Sequence, residues 1–398
     1  MPITPKIYLI VEPGTDILTE NRPQTEFSMT KSAPTMQPVI IIIPNLEKRP
    51  SRVYSIAIGL LKFSVGLIIF LSISFIAARL WLMRSNGGPG KPPAGYSSMT
   101  ELYGAIILGA IPLIDRQPPI PPDIEYKSGV TYARVGDIEL KLDIYRPLKA
   151  PKDQRRPLFV LIHGGGWKSG QREDYRPHAL RVAKAGYVVA SLSYRLSDVA
   201  KFPAAVRDVN AALQFLADHS DEYGLDPLKM VVMGGSAGGH LSMLAGYSND
   251  PQFRPESDPT FKPVRAADQK PVPLKIASIF NFYGPCDLTT DFAKNVDVVR
   301  GFMGTTYDKD PELYRKASPL FDIKSSAPPT LIVHGTIDDI VPVEQSDDLA
   351  NALKKANVPV RYERMRGWPH TMDLAGPMFE YICGVILEEL KAHAGRPD

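Results

Sequence analysis

Lys229-Met-Val-Val-Met-Gly-Gly-Ser-Ala-Gly-Gly-His-Leu241 is the stretch that decides the fold. A short apolar run ends in Gly234-Gly235, a lone serine stands at 236, and Ala237-Gly238-Gly239 opens a stretch with helical character. This is G-x-S-x-G set between a buried strand and a helix, the context in which it forms a nucleophile elbow. The turn strains the serine backbone, and the small residues at 234, 238 and 239 let strand and helix close around it. The Ser236 hydroxyl is thereby held near the positive end of the helix, available for attack.

Outward from the elbow, compact apolar runs recur at 157–163 (PLFVLIH), 187–194 (YVVASLSY), 275–284 (KIASIFNFYG) and 330–335 (TLIVHG). Each suits a parallel strand buried on both faces, and helical stretches such as 202–219 (FPAAVRDVNAALQFLADH) separate them. The run 130–145 alternates on both sides of Gly136-Asp137, a hairpin signal. The pattern predicts an α/β fold with a mostly parallel, doubly wound sheet over residues 124–396. Residues 249–273, rich in Pro, Asp and Lys, read as a surface insertion, and no internal repeat is evident.

The chemistry gathers at the expected strand ends. His163-Gly164-Gly165-Gly166-Trp167 follows a central strand, and glycines there can aim backbone N–H groups at a developing oxyanion. Gly165 and Gly166, with Ala237 just after the serine, are the expected donors; the spacings of phosphate-cradling loops are absent. An elbow serine takes its acid and then its histidine from later in the chain. That leaves His370 and His393 as bases, and His393 lies in the terminal AHAGRP segment, a setting for a solvated histidine. His370, in a turn before the last helix, is the expected base. Asp338 and Asp339, after the strand 330–335, are both placed to orient the imidazole, and chemistry alone does not separate them. Trp167, Tyr283, Phe302 and Trp368 are candidate walls of a substrate pocket. His163 and His334 read as hydrogen-bonded structural residues, because no further ligands stand at metal-binding spacing; no metal or other cofactor is expected.

Composition bounds the partners. The 398 residues carry 46 Lys or Arg against 43 Asp or Glu, a net charge of +3, too weak a field for a nucleic-acid surface. Cys286 and Cys383 allow one disulfide at most, and Cys286 reads as a small buried residue. Residues 1–52 are expected to form an unstructured tail. Residues 53–83 read as a single membrane span: 54–78 holds one charge, Lys62, and a helix of that length exceeds the ~30 Å hydrocarbon core. Tyr54 and Trp81 suit the interfacial belts. A cleaved signal peptide fits less well, because about fifty residues precede the apolar run and no small-residue cleavage site follows it. Residues 84–123 read as a Pro/Gly-rich linker with an apolar segment at 102–114, expected to pack on the folded domain or lie in the interface.

From about residue 125 to 395 the chain resembles the α/β-hydrolase superfamily. The landmarks are HGGGW, SYRL, FPAAVRDVNAALQFL, YGLDP, GGSAGGHL, FYGPCDL, HGTIDDIVPV and WPH, in that order. They resemble the carboxylesterase branch with BD-FAE-type feruloyl and acetyl esterases, kynurenine formamidase and isoprenylcysteine methylesterase. The resemblance implies Ser236 as nucleophile and, from HGxxDxxVP, Asp338 as acid. The chain departs from hormone-sensitive-lipase relatives at Gly235, where an acidic residue is frequent, and in having Thr-Met rather than Gly-Phe after His370.

These readings lead to a membrane-anchored serine hydrolase acting on a small-molecule ester. A peptidase or amidase with the same triad, and a catalytically idle membrane-tethered binding protein, are the alternatives; the filled triad positions disfavour the second. Basic residues flanking the span place the tail in the cytoplasm and the catalytic domain on the exoplasmic or periplasmic side, by a margin of one charge. Nothing in the sequence fixes the oligomeric state.

Overall fold

The structure, a computed structural model, describes residues 52–83, 90–148, 155–265 and 269–397. Residues 1–51 of the expected tail, the Tyr54 side chain, the start of the expected linker and residues 266–268 of the insertion lie outside the described residues. The chain divides into two units, Met1–Ser74 and Phe75–Asp398, within the helix α1 (Arg52–Leu82). Its stretch Ser55–Leu82 is long and apolar enough to cross a membrane, and Leu60, Phe63, Phe70 and Ile73 along it are exposed.

In the second unit, α2 (Met99–Ile107) precedes a hairpin of β1 (Ile124–Val135) and β2 (Ile138–Pro147). Its two-residue turn uses Gly136 at φ 57°, a left-handed conformation in which a Cβ is costly. Then follow β3 (Arg156–Ile162), α3 (Arg176–Lys184), β4 (Val188–Leu192), α4 (Ala204–Asp218), α5 (Ser220–Tyr223), β5 (Leu225–Gly235) and α6 (Ala237–Tyr247). The second half runs β6 (Phe261–Pro263), β7 (Ile276–Phe282), α7 (Asp291–Lys294), α8 (Asp297–Met303) and α9 (Pro311–Lys316). It ends with β8 (Thr330–Gly335), α10 (Glu344–Lys355), β9 (Val360–Met365) and α11 (Gly376–His393).

The nine strands among the described residues form one sheet in the order β6-β1-β2-β4-β3-β5-β7-β8-β9. The β6-β1-β2-β4 end is antiparallel, and from β4 to β9 every pairing is parallel. Side chains of the central strands alternate between two cores. Leu158, Val160, Ile162, Met230 and Val232 enter the core under α4, α6 and α10, while Phe159, Leu161, Val231 and Met233 enter the one under α2, α3 and α11. Burial on both faces explains why these strands read as continuous apolar runs rather than alternating ones.

Two segments differ from the sequence expectation. The insertion after α6 is not only surface loop: it supplies edge strand β6, and its Asp258 binds Arg195, which also holds the buried Asp208 through a forked set of hydrogen bonds. Residues 92–97, linker-like by composition, form a strap on the folded unit. The Trp368 Nε1–H donates to Pro93 O, the Tyr96 N–H donates to Gly367 O, and the Tyr96 hydroxyl donates to Leu82 O. A Cβ at Gly95 would lie 2.1 Å from Arg366 O, so the strap follows this course only with glycine there. Further on, Ile111 is buried and the Ile114 N–H donates to Leu374 O, fastening the chain beside α11.

Candidate active site

Ser236 sits between β5 and α6 at φ 55°, ψ −122°, a strained conformation that persists only where the surroundings enforce it. Its N–H donates to Phe282 O, and its carbonyl accepts from the His240 N–H. A Cβ at Gly234 would lie 2.1 Å from Gly238 C, and one at Gly238 would lie 2.1 Å from Ile162 O. The elbow glycines are therefore required by the close approach of β3, β5 and α6.

The loop after β3 lies against this turn, with a Cβ at Gly164 reaching 3.4 Å from Ser236 Cβ. Gly165, Gly166 and Trp167 all take positive φ, at 99°, 59° and 56°. Among the described residues, the N–H groups of Gly165, Gly166 and Ala237 have no protein acceptor. Trp167 is fixed from behind by His240, one turn into α6: its Nε1–H donates to His240 Nδ1 at 3.3 Å, while His240 Nε2–H donates to Ala317 O at 2.6 Å. Burial pushes the His240 imidazole down to about 4, so it is neutral and held in one tautomer.

His370 follows β9 and Asp338 follows β8. The His370 Nδ1–H donates to Asp338 Oδ2 at 2.6 Å. A carboxylate accepts only, so the pair leaves Nε2 of the neutral ring as an acceptor. Asp338 is deeply held: Oδ2 also accepts from His334 Nε2–H at 3.0 Å, and Oδ1 accepts from the Ile340 and Val341 N–H groups. Burial alone would raise its carboxyl, but the bonds from His334 and His370, the His370 charge and the Val341 N–H hold it well below the usual carboxylate range. Asp339 is exposed.

Ser236 and His370 line one cavity of about 700 Å³, without a direct hydrogen bond between them. Trp167 and Tyr283 are walls of that cavity. Phe302 and Trp368 are not: Phe302 stacks behind Trp167 at 4.5 Å, and Trp368 packs edge-on to Tyr96 in the strap. Both rings are drawn into buried aromatic contacts instead. His163 stacks on Tyr194 and its Nδ1–H donates to Gly164 O, and His334 serves Asp338. Cys286 and Cys383 are free and buried. His393 bonds Glu389 on α11.

Several cavity residues escaped the sequence reading: Tyr175, His178, Asp373, Ile114 and Arg116. Nothing in their local sequence marks them, because the fold assembles them from short 3₁₀ turns, α3 and the segment before β1. His240 was legible in principle, standing four residues after Ser236 and so one helical turn above it.

A mostly parallel sheet, a strained serine at the β5–α6 turn and a buried His–Asp pair on later loops define an α/β hydrolase of the esterase type. Residues 142–353 match the BD-FAE family model, and the chain belongs to that family. It is 29% identical over 337 residues to the "Probable carboxylic ester hydrolase LipM" of Mycobacterium tuberculosis, covering 80% of this chain and 70% of that protein. With "Esterase LipC" of the same organism the identity is 31%, over 66% of this chain and 65% of the relative. Esterase 2 of Thermogutta terrifontis, solved after phosphoramylation by tabun, superposes with a TM-score of 0.57 at 26% identity, over 72% of this chain and all of that one.

Proposed function

We propose that the protein is a membrane-anchored serine esterase that hydrolyses carboxylic esters through Ser236, His370 and Asp338. The observation that carries the reading is the strained serine facing the same cavity as a His–Asp pair whose tautomer leaves Nε2 free to accept a proton. In the first step Ser236 Oγ attacks the ester carbonyl carbon while His370 Nε2 takes its proton, and Asp338 stabilises the imidazolium. The N–H groups of Gly165, Gly166 and Ala237 receive the oxyanion. Collapse expels the alcohol, protonated by His370, and leaves an acyl-serine; water, deprotonated by the same histidine, then releases the acid. The esterase names of the mycobacterial relatives support the substrate class. A structure of the Thermogutta esterase phosphorylated by paraoxon supports organophosphorus compounds as probes.

The bilayer is the proposed second partner, through residues 53–83. Lys48, Arg49, Arg52 and Lys62 on the N-terminal side, against Arg79, Arg84 and Lys91 on the other, favour a cytoplasmic tail and an exoplasmic catalytic domain.

A fluorophosphonate probe tests the core of the reading. It is expected to label one serine stoichiometrically, and Ser236→Ala is expected to abolish labelling and lower turnover by on the order of 10⁴ to 10⁶. Labelling that survives the substitution refutes the assignment.

A further inference from the structure

Gly235, the residue before the nucleophile, has no room for a side chain: a Cβ there would lie 2.1 Å from Tyr175 Oη and 3.0 Å from Tyr283 Oη. Behind the two hydroxyls stands a carboxylate brought in from the far end of the chain. The Tyr283 hydroxyl donates to Asp373 Oδ1 at 2.5 Å. Its single proton is spent there, and Tyr175, at the same spot beside Gly235, packs its ring edge-on to His178 at 5.1 Å between ring centres. Tyr283 is held in this position at φ 42°, a strained backbone for a non-glycine residue.

The cluster is incomplete at one edge, and that edge belongs to the cavity. His178, on α3, lines it and is 1% exposed, yet neither ring nitrogen has a hydrogen-bond partner. Its Nε2 lies 3.5 Å from Asp373 Oδ2, beyond a good hydrogen bond, and the Asp373 side chain is itself 3% exposed. A buried imidazole without a partner, beside a carboxylate that lines the cavity, calls for a group that can accept from the first and donate to the second. A hydroxyl does both.

The cluster also lies on a definite side of the reacting centre. The base must reach the leaving oxygen to protonate it, so the alcohol departs past His370. The Tyr283 ring is 4.5 Å from the His370 ring, and Asp373 is three residues further along the chain. At Gly166 the cavity wall is apolar, with Val298 Cγ2 2.7 Å from where a Cβ would stand, and Phe292 and Val296 line the same cavity. That wall suits an acyl chain.

We propose that His178 and Asp373, positioned by Tyr175 and Tyr283, form a subsite for a hydroxyl on the alcohol half of the ester, so that the preferred substrates are monoesters of diols or polyols. The inference rests on the esterase reading above. The hydroxyl donates to Asp373 Oδ2 and accepts from His178 N–H. Burial lowers the proton affinity of the His178 ring, with Asp373 opposing, and so favours the neutral ring that supplies one such N–H.

The test compares isosteric esters on the full-length chain in detergent: 3-hydroxypropyl against butyl butyrate, and 2-hydroxyethyl against propyl butyrate, each normalised to its alkaline hydrolysis rate. Expected is a preference in kcat/KM of about tenfold or more for at least one hydroxylated member, since a site built around a substrate hydroxyl discriminates strongly against its absence. His178→Leu and Asp373→Asn are each expected to lower kcat/KM for the hydroxylated ester about tenfold more than for its alkyl partner. Equal rates in the unmodified protein overturn the subsite, whether or not the variants fold, and so do variants that slow both esters alike. Fluorophosphonate labelling of Ser236 separates the two readings. Labelling with turnover but no preference refutes the subsite alone, labelling without turnover of any member refutes the diol-ester assignment, and neither labelling nor turnover refutes the esterase reading with it.

Discussion

At Asp338 one carboxylate answers four donors, and two of them are histidines. The choice between the adjacent aspartates, open on chemistry alone, follows from backbone geometry: Asp338 turns inward under β8 while Asp339 faces solvent. Asp338→Asn is therefore expected to lower kcat by about 10⁴, because the amide presents its N–H where Nδ1–H must donate and turns the ring to the wrong tautomer. Asp339→Asn is expected to change it less than about threefold, in keeping with a surface substitution; equal losses in ester turnover count against the assignment. The depressed acidity of Asp338 fixes the sign of its pH effect. Its contribution to stability is complete above the ordinary carboxylate range and is lost as pH falls through the lowered folded value. Across any neutral to mildly acidic assay it stays ionised, so Asp338 itself adds no step to the acid limb of kcat/KM. His334, legible only as a structural histidine, is a positioning residue for this carboxylate.

At the scale of elements, the glycine loop after β3 and α6 are joined by one imidazole. Trp167 leans on His240, which stands a turn above Ser236, so the strand–turn–helix unit and the glycine loop are tied together. His240 is neutral when folded, pushed down to about 4, whereas in the unfolded chain it titrates near its ordinary value of about 6.5. Its contribution is therefore full above about pH 6.5 and erodes as pH falls toward about 4, by about 3 kcal/mol in all. Denaturant unfolding at pH 7 and pH 4.5 is expected to show most of that loss, and His240→Gln to flatten it. The strands β3, β4, β5, β7 and β8 were legible because double burial makes them apolar along their whole length. Edge strands β6 and β9 were not: residues such as the exposed Lys262 and the half-buried Arg361 carry no such signal. The pocket was the least legible part, because Trp368 is drawn away from it by Pro93 while His178 and Asp373 arrive from elements far apart in sequence.

For the whole molecule, the expected span is matched by one helix long and apolar enough to cross a bilayer. Protease added to intact cells is expected to digest the catalytic domain, and in sealed inside-out vesicles to spare it; the reverse pattern inverts the proposed topology. The strap at 92–97 bears on a practical matter, where the chain can be severed. Its composition invites a cut near Gln117, after the last Pro/Gly-rich stretch of the apparent linker. Such a cut strips Tyr96 and Pro93 from the loop that carries His370, and removes Ile111 and Ile114 from beside α11. A fragment starting at Gly90 is expected to keep its melting temperature and ester turnover, while one starting at Gln117 melts lower and loses kcat. The folded enzyme thus begins at the strap, about 30 residues before β1, where its strand pattern starts.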